Sequence, residues 1–343
     1  MRGGIYINTA DRKNHVLSSI IELFIVTGEP VGSKAVSTYL NDMCSTATIR
    51  NDMCDLIERG YLIQPHTSAG RIPSAMGYRY YIDHLMPFRE LPTAISEQID
   101  HALPTFRGDS ERFLSDTCKA LAKLTGCTAM ITTPADPNAT LKRIELIPAG
   151  RSSVMVAVLS SSGCMKCKLC HLDCELSIEE LARFAMVVNE RFADLRLSHI
   201  NPAMAQTLAV SFGIMALKFA PVFEQIFEAA REAICTTVQV EGQTNLLLYK
   251  EFSPASVIEL FANRERLVSN LEQLGQNCVL LGNELNDVAL QKAGLIVEGY
   301  RFSPALMGKI AVLGPMKMNY VTMIPMVKYI AKKTEQALGS TLL

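Results

Sequence analysis

The sequence predicts an α+β protein of several domains, and three observations carry that expectation. Three helical stretches, a short strand and a polar loop follow one another within the first 80 residues, the order of a winged helix-turn-helix. From residue 127 the texture turns to strands, is interrupted by a strongly helical block over 177–235 and returns to strands near 278, which suggests one domain inserted into an α/β domain. The 343 residues suffice for two or three domains of roughly 100–200 residues each.

The first helix is read over 12–27, where Val16, Leu17, Ile20, Ile21, Phe24 and Ile25 recur at helical spacing and Gly28 and Pro30 stop the run. Ser33 offers an N-cap for a short second helix. Ser45 offers the cap of a third helix, 45–59, with Gly60 as its stop. At 100° per residue, Ile49, Met53, Leu56 and Ile57 of that helix face a core, while Ala47, Thr48, Asn51, Asp55 and Glu58 face away and Arg50 lies at the edge. YLIQP then reads as a short strand, and MPFRELP as a linker.

LPTAISEQIDHALPTF is a less regular helical stretch. CTAMITT, LKRIELIPA, SSVMVAVLS and MKCKLCHL read as successive strands, VQVEG and NLLLY as short ones, and 255–274 as a helix. NCVLLG, GLIVEGYRF and KIAVLGP are the returning strands, followed by a helix over 318–337. The segment 209–234 is apolar enough to need a partner surface, either ordinary core or a dimer interface.

Net charge is −1, so bulk basicity gives no argument for nucleic acid, and any anion site depends on where charges sit. The first 90 residues hold nine Lys and Arg against nine Asp and Glu, yet 61–82 contain two arginines and no acid. HTSAGRIP, residues 66–73, reads as the wing: Arg71, Thr67, Ser68 and His66 are candidates to reach phosphate or a minor groove, with Gly70 allowing the turn. Lys34 at a helix start is a further phosphate candidate. Arg79 is ambiguous, because Tyr78, Tyr80 and Tyr81 beside it suit packing between wing and linker helix better than base stacking.

The N-terminus has no apolar run suited to a secretion signal, and no segment reaches the roughly 18 apolar residues of a membrane span, so a cytoplasmic location without membrane contact is expected. Ten cysteines are then expected as thiols or metal ligands. CMKCKLCHLDC carries Cys164, Cys167, Cys170 and Cys174 at the spacing of an iron–sulfur run, and Cys167, Cys170 and His171 spell a haem-attachment motif; zinc is a third option. Glu175 stands where proline usually follows the fourth ferredoxin cysteine, and a strand would send Cys167 to the face opposite the other three. Packed thiols are therefore preferred to metal, with no cofactor expected. HTSAG has His66 in place of the first glycine of a nucleophile elbow, and no P-loop, zinc-protease motif or complete dinucleotide fingerprint occurs, so no enzyme is expected.

VTGEPVGSKAVS, STATIRNDMCDLIERGYLIQPHTSAGRIPS and GYRYYIDHLM closely resemble the N-terminal signature of the HrcA family of bacterial heat-inducible transcription repressors. EGQTNLL, LLGNE and IAVLGPMKMNY resemble the family's C-terminal blocks, so the likeness spans nearly the whole chain and is weakest over 95–235. Ala75 and Met76 stand where the family often has charged residues, and Lys317 where arginine is common. The resemblance implies a winged-helix domain (1–90), a GAF-like α/β domain (91–176 and 275–343) and an inserted dimerisation domain (177–274). It further implies a homodimer on an inverted-repeat DNA operator ahead of chaperone genes, relieved by heat and kept active by a GroEL-type chaperonin. Thr48, Arg50 and Asn51 are then the expected base contacts, and Ser33, Lys34, Thr46, Thr67 and Arg71 the expected phosphate contacts, with His66, Ser68 and Arg79 as further wing contacts. The alternative is a winged-helix regulator that senses metal or redox state through the cysteine cluster.

Overall fold

The computed structural model describes residues 9–66, 69–87, 89–204, 212–213 and 215–339. The chain forms two compact units, one built from the chain up to Thr133 and from Val238 onward, the other from Pro134–Thr237.

The first unit begins with α1 (Thr9–Thr27), α2 (Ser33–Tyr39) and α3 (Thr46–Glu58). Val16, Leu17, Ile20 and Ile21 of α1 are fully buried, as their spacing requires, against Ile49, Met53 and Leu56 of α3 in one apolar cluster. Ser33 is not a cap but the first helical residue of α2; Gly32 occupies the cap position without a side-chain bond. Ser45 does cap α3, its hydroxyl accepting from Thr48 N at 3.1 Å. The other end closes through Gly60 at φ +80°, whose N–H donates to Ile57 O while Tyr61 N–H donates to Leu56 O, both at 2.9 Å. Only a residue free of a Cβ takes that left-handed turn without cost, so the helix stops there.

A two-stranded antiparallel hairpin follows, β1 (Leu62–Ile63) with β2 (Ile72–Pro73). Val31 and Arg71 exchange backbone bonds of 2.9 and 2.8 Å, which ties the hairpin to the chain entering α2. After β2, Ser74 caps α4 (Ala75–Tyr80), which runs on as one π turn over Tyr81–Leu85. Tyr78 and Tyr81 are buried, and Tyr80 lies 5.0 Å from the ring of Tyr61, so these tyrosines pack rather than present themselves.

The rest of this unit is a five-stranded sheet in the order β7-β3-β10-β9-β8: β7 (Thr237–Glu241), β3 (Thr128–Thr133), β10 (Leu306–Pro315), β9 (Ala293–Ser303) and β8 (Cys278–Leu281). β10 lies antiparallel to both β3 and β9, and β9 to β8. Alternation along the strands divides the side chains between two cores. Ala129, Ile131, Ile296, Ile310 and Val312 join the cluster of the N-terminal helices, together with α5 (Thr93–Ala102), α6 (Ser110–Thr125) and the last helix, Tyr320–Gly339. Met130, Leu295, Val297, Ala311 and Leu313 face the other way, against Pro254–Ala262 and Arg264–Gln273. Buried Lys309 holds the end of the latter helix, its Nζ donating to Leu271 O, Glu272 O and Leu274 O at 2.6, 3.0 and 2.6 Å. A cation at a helix C-terminus meets both the free carbonyls and the negative end of the dipole.

Two expected elements differ, and one helix was not expected. NLLLY is not a strand: Gln243–Leu248 is a 3₁₀ helix that starts after Gly242 at φ +71°. The helix expected over 255–274 is two, because Asn263 takes an extended backbone and caps the second through Arg266 N at 2.9 Å. α6 was not anticipated, although Asp109 caps it and Gly126 closes it at φ +64°.

The second unit holds a three-stranded antiparallel sheet, β4 (Leu141–Pro148), β5 (Ser153–Ser160) and β6 (Met165–His171). One face carries Ile144, Val154, Val156, Val158 and Cys170 and is covered by α7 (Ile178–Phe192) and α8 (Met215–Ala233). Asn189 of α7 grips strand β4 by both backbone groups of Ile144, at 2.8 and 2.7 Å. The opposite face has no helix over it among the described residues: Ile147, Leu159, Met165 and Leu169 are exposed there. The limits expected for the insertion, 177–274, and for the interrupted domain, 91–176 and 275–343, therefore shift. β4, β5 and β6 pair only with one another and pack on α7 and α8, whereas β7 and the helices 254–273 belong to the five-stranded sheet.

Candidate nucleic-acid interface

The outward face of α3 is set by how firmly its inward face is held. Besides Ile49, Met53 and Leu56, that inward face carries Asp52, which is 4% exposed. Arg12 of α1 donates to both its oxygens, at 2.8 and 3.0 Å. The planar guanidinium fork suits a carboxylate and fixes the angle between the two helices. One residue along, Lys13 donates to Asp55 at 2.9 Å and Arg59 pairs with the same carboxylate at 2.8 Å. The bond from Lys13, aided by Arg59, holds the Asp55 carboxyl below its usual range. The acid on the outer side of the helix is thus already neutralised by local cations.

Arg50 and Asn51 are exposed on the solvent side and make no side-chain hydrogen bond or ion pair with other described residues. Thr46 is exposed beside them, whereas Thr48 is half-buried and its hydroxyl shares a 2.8 Å bond with Ser45. Ser33 is half-buried at the start of α2, and Lys34 is exposed without an ion-pair partner among the described residues. Exposed donors in the first turns of a helix are what a groove floor or a phosphate can accept from.

In the hairpin, His66 is exposed at the tip, and Thr67 and Ser68 lie outside the described residues. Arg71 does not extend freely outward: it is half-buried, Nη1 donates to Ala69 O at 3.0 Å, and Nε is buried without a partner among the described residues. Gly70 is required by closeness, since a Cβ there would stand 2.6 Å from the Val31 carbonyl. Arg79 is engaged elsewhere. It donates to both carboxylate oxygens of Glu284, Nε to Oε1 at 3.1 Å and Nη2 to Oε2, and also to Val279 O and to Asp83 at 3.3 Å. With that many acceptors its guanidinium joins the segment after the hairpin to the sheet and is no free phosphate contact. The partner lies 205 residues away in sequence, so no local pattern could have shown it.

The four cysteines of 164–174 divide across the second unit's sheet. Cys167 is exposed opposite Ala157, while Cys170 is buried opposite Val154 on the other face. Among the described residues no three His, Cys, Asp or Glu side chains are grouped so as to hold a metal. No helix among the described residues is long and apolar enough to cross a membrane.

Comparison with known proteins gives this arrangement its setting. The family model for the HrcA protein C terminal domain matches residues 111–324. The heat-inducible transcription repressor HrcA of Acetivibrio thermocellus is 30% identical over 334 residues, 95% of each chain. That of Syntrophobacter fumaroxidans is 31% identical over 338 residues, covering 95% of this chain and 97% of its own. A crystal structure of a hypothetical protein, 24% identical, shares the fold at a TM-score of 0.67 over 96% of this chain and 99% of that one. Matched from end to end by such relatives, the chain belongs to the HrcA family of heat-inducible transcription repressors.

Proposed function

We propose that the chain represses by occupying an inverted-repeat operator as a homodimer, each protomer laying α3 in a major groove and its hairpin along the flanking backbone. On this reading α1 to α3 with β1 and β2 form a winged helix-turn-helix, the five-stranded sheet with helices on both faces is the GAF-like domain, and 134–237 is the dimerisation insert. The observation that carries the reading is Arg50 and Asn51 standing free on a helix whose opposite face is fixed by Asp52 and Arg12. An arginine can donate twice to guanine and an asparagine can pair with adenine, each contributing about 1–3 kcal/mol of discrimination. Exposed Thr46, Lys34 and His66 and half-buried Ser33 serve phosphate; Thr67 and Ser68, outside the described residues, are assigned the same role. Thr48, tied to its cap, contributes a methyl and a shared hydroxyl. Arg71 serves phosphate by swinging its Nη groups off the loop.

An inverted repeat needs two recognition helices about 34 Å apart, which two-fold symmetry supplies. The uncovered face of the insert supports the dimer. In register, Ile147, Met155 and Leu169 form one apolar row across three strands and Leu159 and Met165 a second. Apolar rows of that extent on an uncovered sheet face favour a partner surface. Of the two readings of 209–234, core or dimer interface, core is favoured for Phe219, Val222, Phe223 and Ile226, which are buried in one cluster with the insert's own sheet. When protomers separate, the same exposed rows are what a GroEL-type chaperonin would bind, consistent with chaperonin maintaining the active form. The test of the DNA reading is substitution at α3. Arg50→Ala and Asn51→Ala should each weaken operator binding by about tenfold or more with unchanged melting temperature. Undiminished binding by both variants would rule out α3 as the reading element.

A further inference from the structure

A cavity of about 160 Å³ opens between the five-stranded sheet and the helix Arg264–Gln273. Leu280, Leu295 and Leu313 form one row of its wall, paired in register across three neighbouring strands, and Leu267 and Leu271 of the helix face them. A second cavity of about 440 Å³ shares Leu260, Leu267, Asn270 and Asn286 with the first, so the two adjoin along these residues. The outer one is polar. It carries Arg266 and Asp287, paired at 3.4 Å, and Glu259, which is exposed and has no ion-pair partner among the described residues.

An apolar space of roughly 150 Å³ accommodates a benzene-sized ring, and binding sites commonly join an apolar body to a few orienting polar groups. Here the orienting groups are two asparagines, which can donate or accept, Arg266 and Asp287 paired with each other, and the unmatched Glu259 carboxylate, which favours a positively charged head. We propose that these adjoining cavities bind a small amphipathic amine, its ring or branched chain among Leu280, Leu295 and Leu313 and its ammonium at Glu259.

The position of the site gives it a route to the DNA-binding end. Glu284 lines the apolar cavity, accepts from Leu281 N at 2.8 Å and holds Arg79 by both oxygens. Arg79 also donates to the carbonyl of Val279, one residue before the cavity's Leu280. A ligand that shifts this strand end or the Glu284 carboxylate alters the clamp on α4, the segment that leaves the hairpin. Binding at the site stands apart from the operator reading; its effect on repression rests on that reading.

The chain contains no tryptophan, so Leu285→Trp, at the cavity lining, supplies a single reporter in the full-length protein. Phenethylamine should change its fluorescence saturably, 3-phenylpropanoate should bind at least about tenfold more weakly, and Glu259→Gln should weaken the amine by a similar factor. Calorimetric titration of the unsubstituted chain guards against an effect of the reporter itself. No saturable binding of the amine by either method, or equal binding of amine and carboxylate, would overturn the site. At saturating phenethylamine the operator affinity should shift by at least about threefold, and Arg79→Ala should abolish that shift. An unchanged operator affinity would overturn the link to repression, while a chain that bound no duplex would leave the fluorescence result to decide the site alone.

Discussion

Arg12 and Lys13 are adjacent in α1, and each takes one acid of α3: Asp52 on the buried side and Asp55 at its edge. Two free carboxylates would repel phosphate from a helix proposed to approach it; both are paired within the fold. Asp52→Ala removes two charge-assisted bonds and strands Arg12 in a partly buried site, with an expected loss of about 1–3 kcal/mol in urea unfolding. The Asp55 carboxyl is held below its usual range by Lys13 and then by Arg59, so its contribution to stability is full above the ordinary carboxylate value of 3.8 and fades as pH falls through the lowered folded value. The stability difference between the protein and Asp55→Asn should therefore shrink steadily on acidification, and a difference independent of pH would show that the pair is inert. The outward position of Asn51 was legible from a 100° step, which put Arg50 only at the edge. Asp52 was not, because a carboxylate on a core face becomes reasonable only once Arg12 is known to reach it from another helix.

Helix boundaries were readable where a cap or a glycine marked them, as Ser45 and Gly60 do for α3. Ser110–Thr125 also carries such marks, Asp109 and Gly126, yet it follows a looser polar stretch, and the burial of Phe113, Leu114, Cys118 and Leu121 that holds it depends on partners distant in sequence. The insertion's edges could not be set from strand pattern, since LKRIELIP and TAMITT look alike until their partners are known. Between β1 and α4 the fit is close: a Cβ on Gly77 would stand 2.2 Å from the Tyr61 carbonyl oxygen. Gly77→Ala must push hairpin and helix apart, an overpacking that should cost about 1–3 kcal/mol and lower the melting temperature. Melting at the unaltered temperature would mean that the two elements are not rigidly joined.

On the proposed reading the chain combines a DNA-reading end with an insert, and the sheet of that insert has one face covered by helices and one bare among the described residues. Leu169→Glu, on the bare face, should shift the sedimenting species toward monomer and weaken binding to a two-half-site operator while leaving the fold intact. A variant that stayed dimeric would move the interface elsewhere. Heat control is expected to act through the same insert, so amide exchange on gradual warming should rise first within 134–237; earlier loss in α1 to α3 would contradict that. The central claim, sequence-specific binding by α3 and the hairpin, is tested most directly by titrating the full-length protein against an inverted-repeat duplex and a scrambled one across a salt series. The repeat should bind about a thousandfold or more tighter, with the log affinity falling by roughly 0.9 per neutralised phosphate for each log unit of salt. Equal affinity for both duplexes at every salt concentration, with chaperonin present as well as absent, would contradict it.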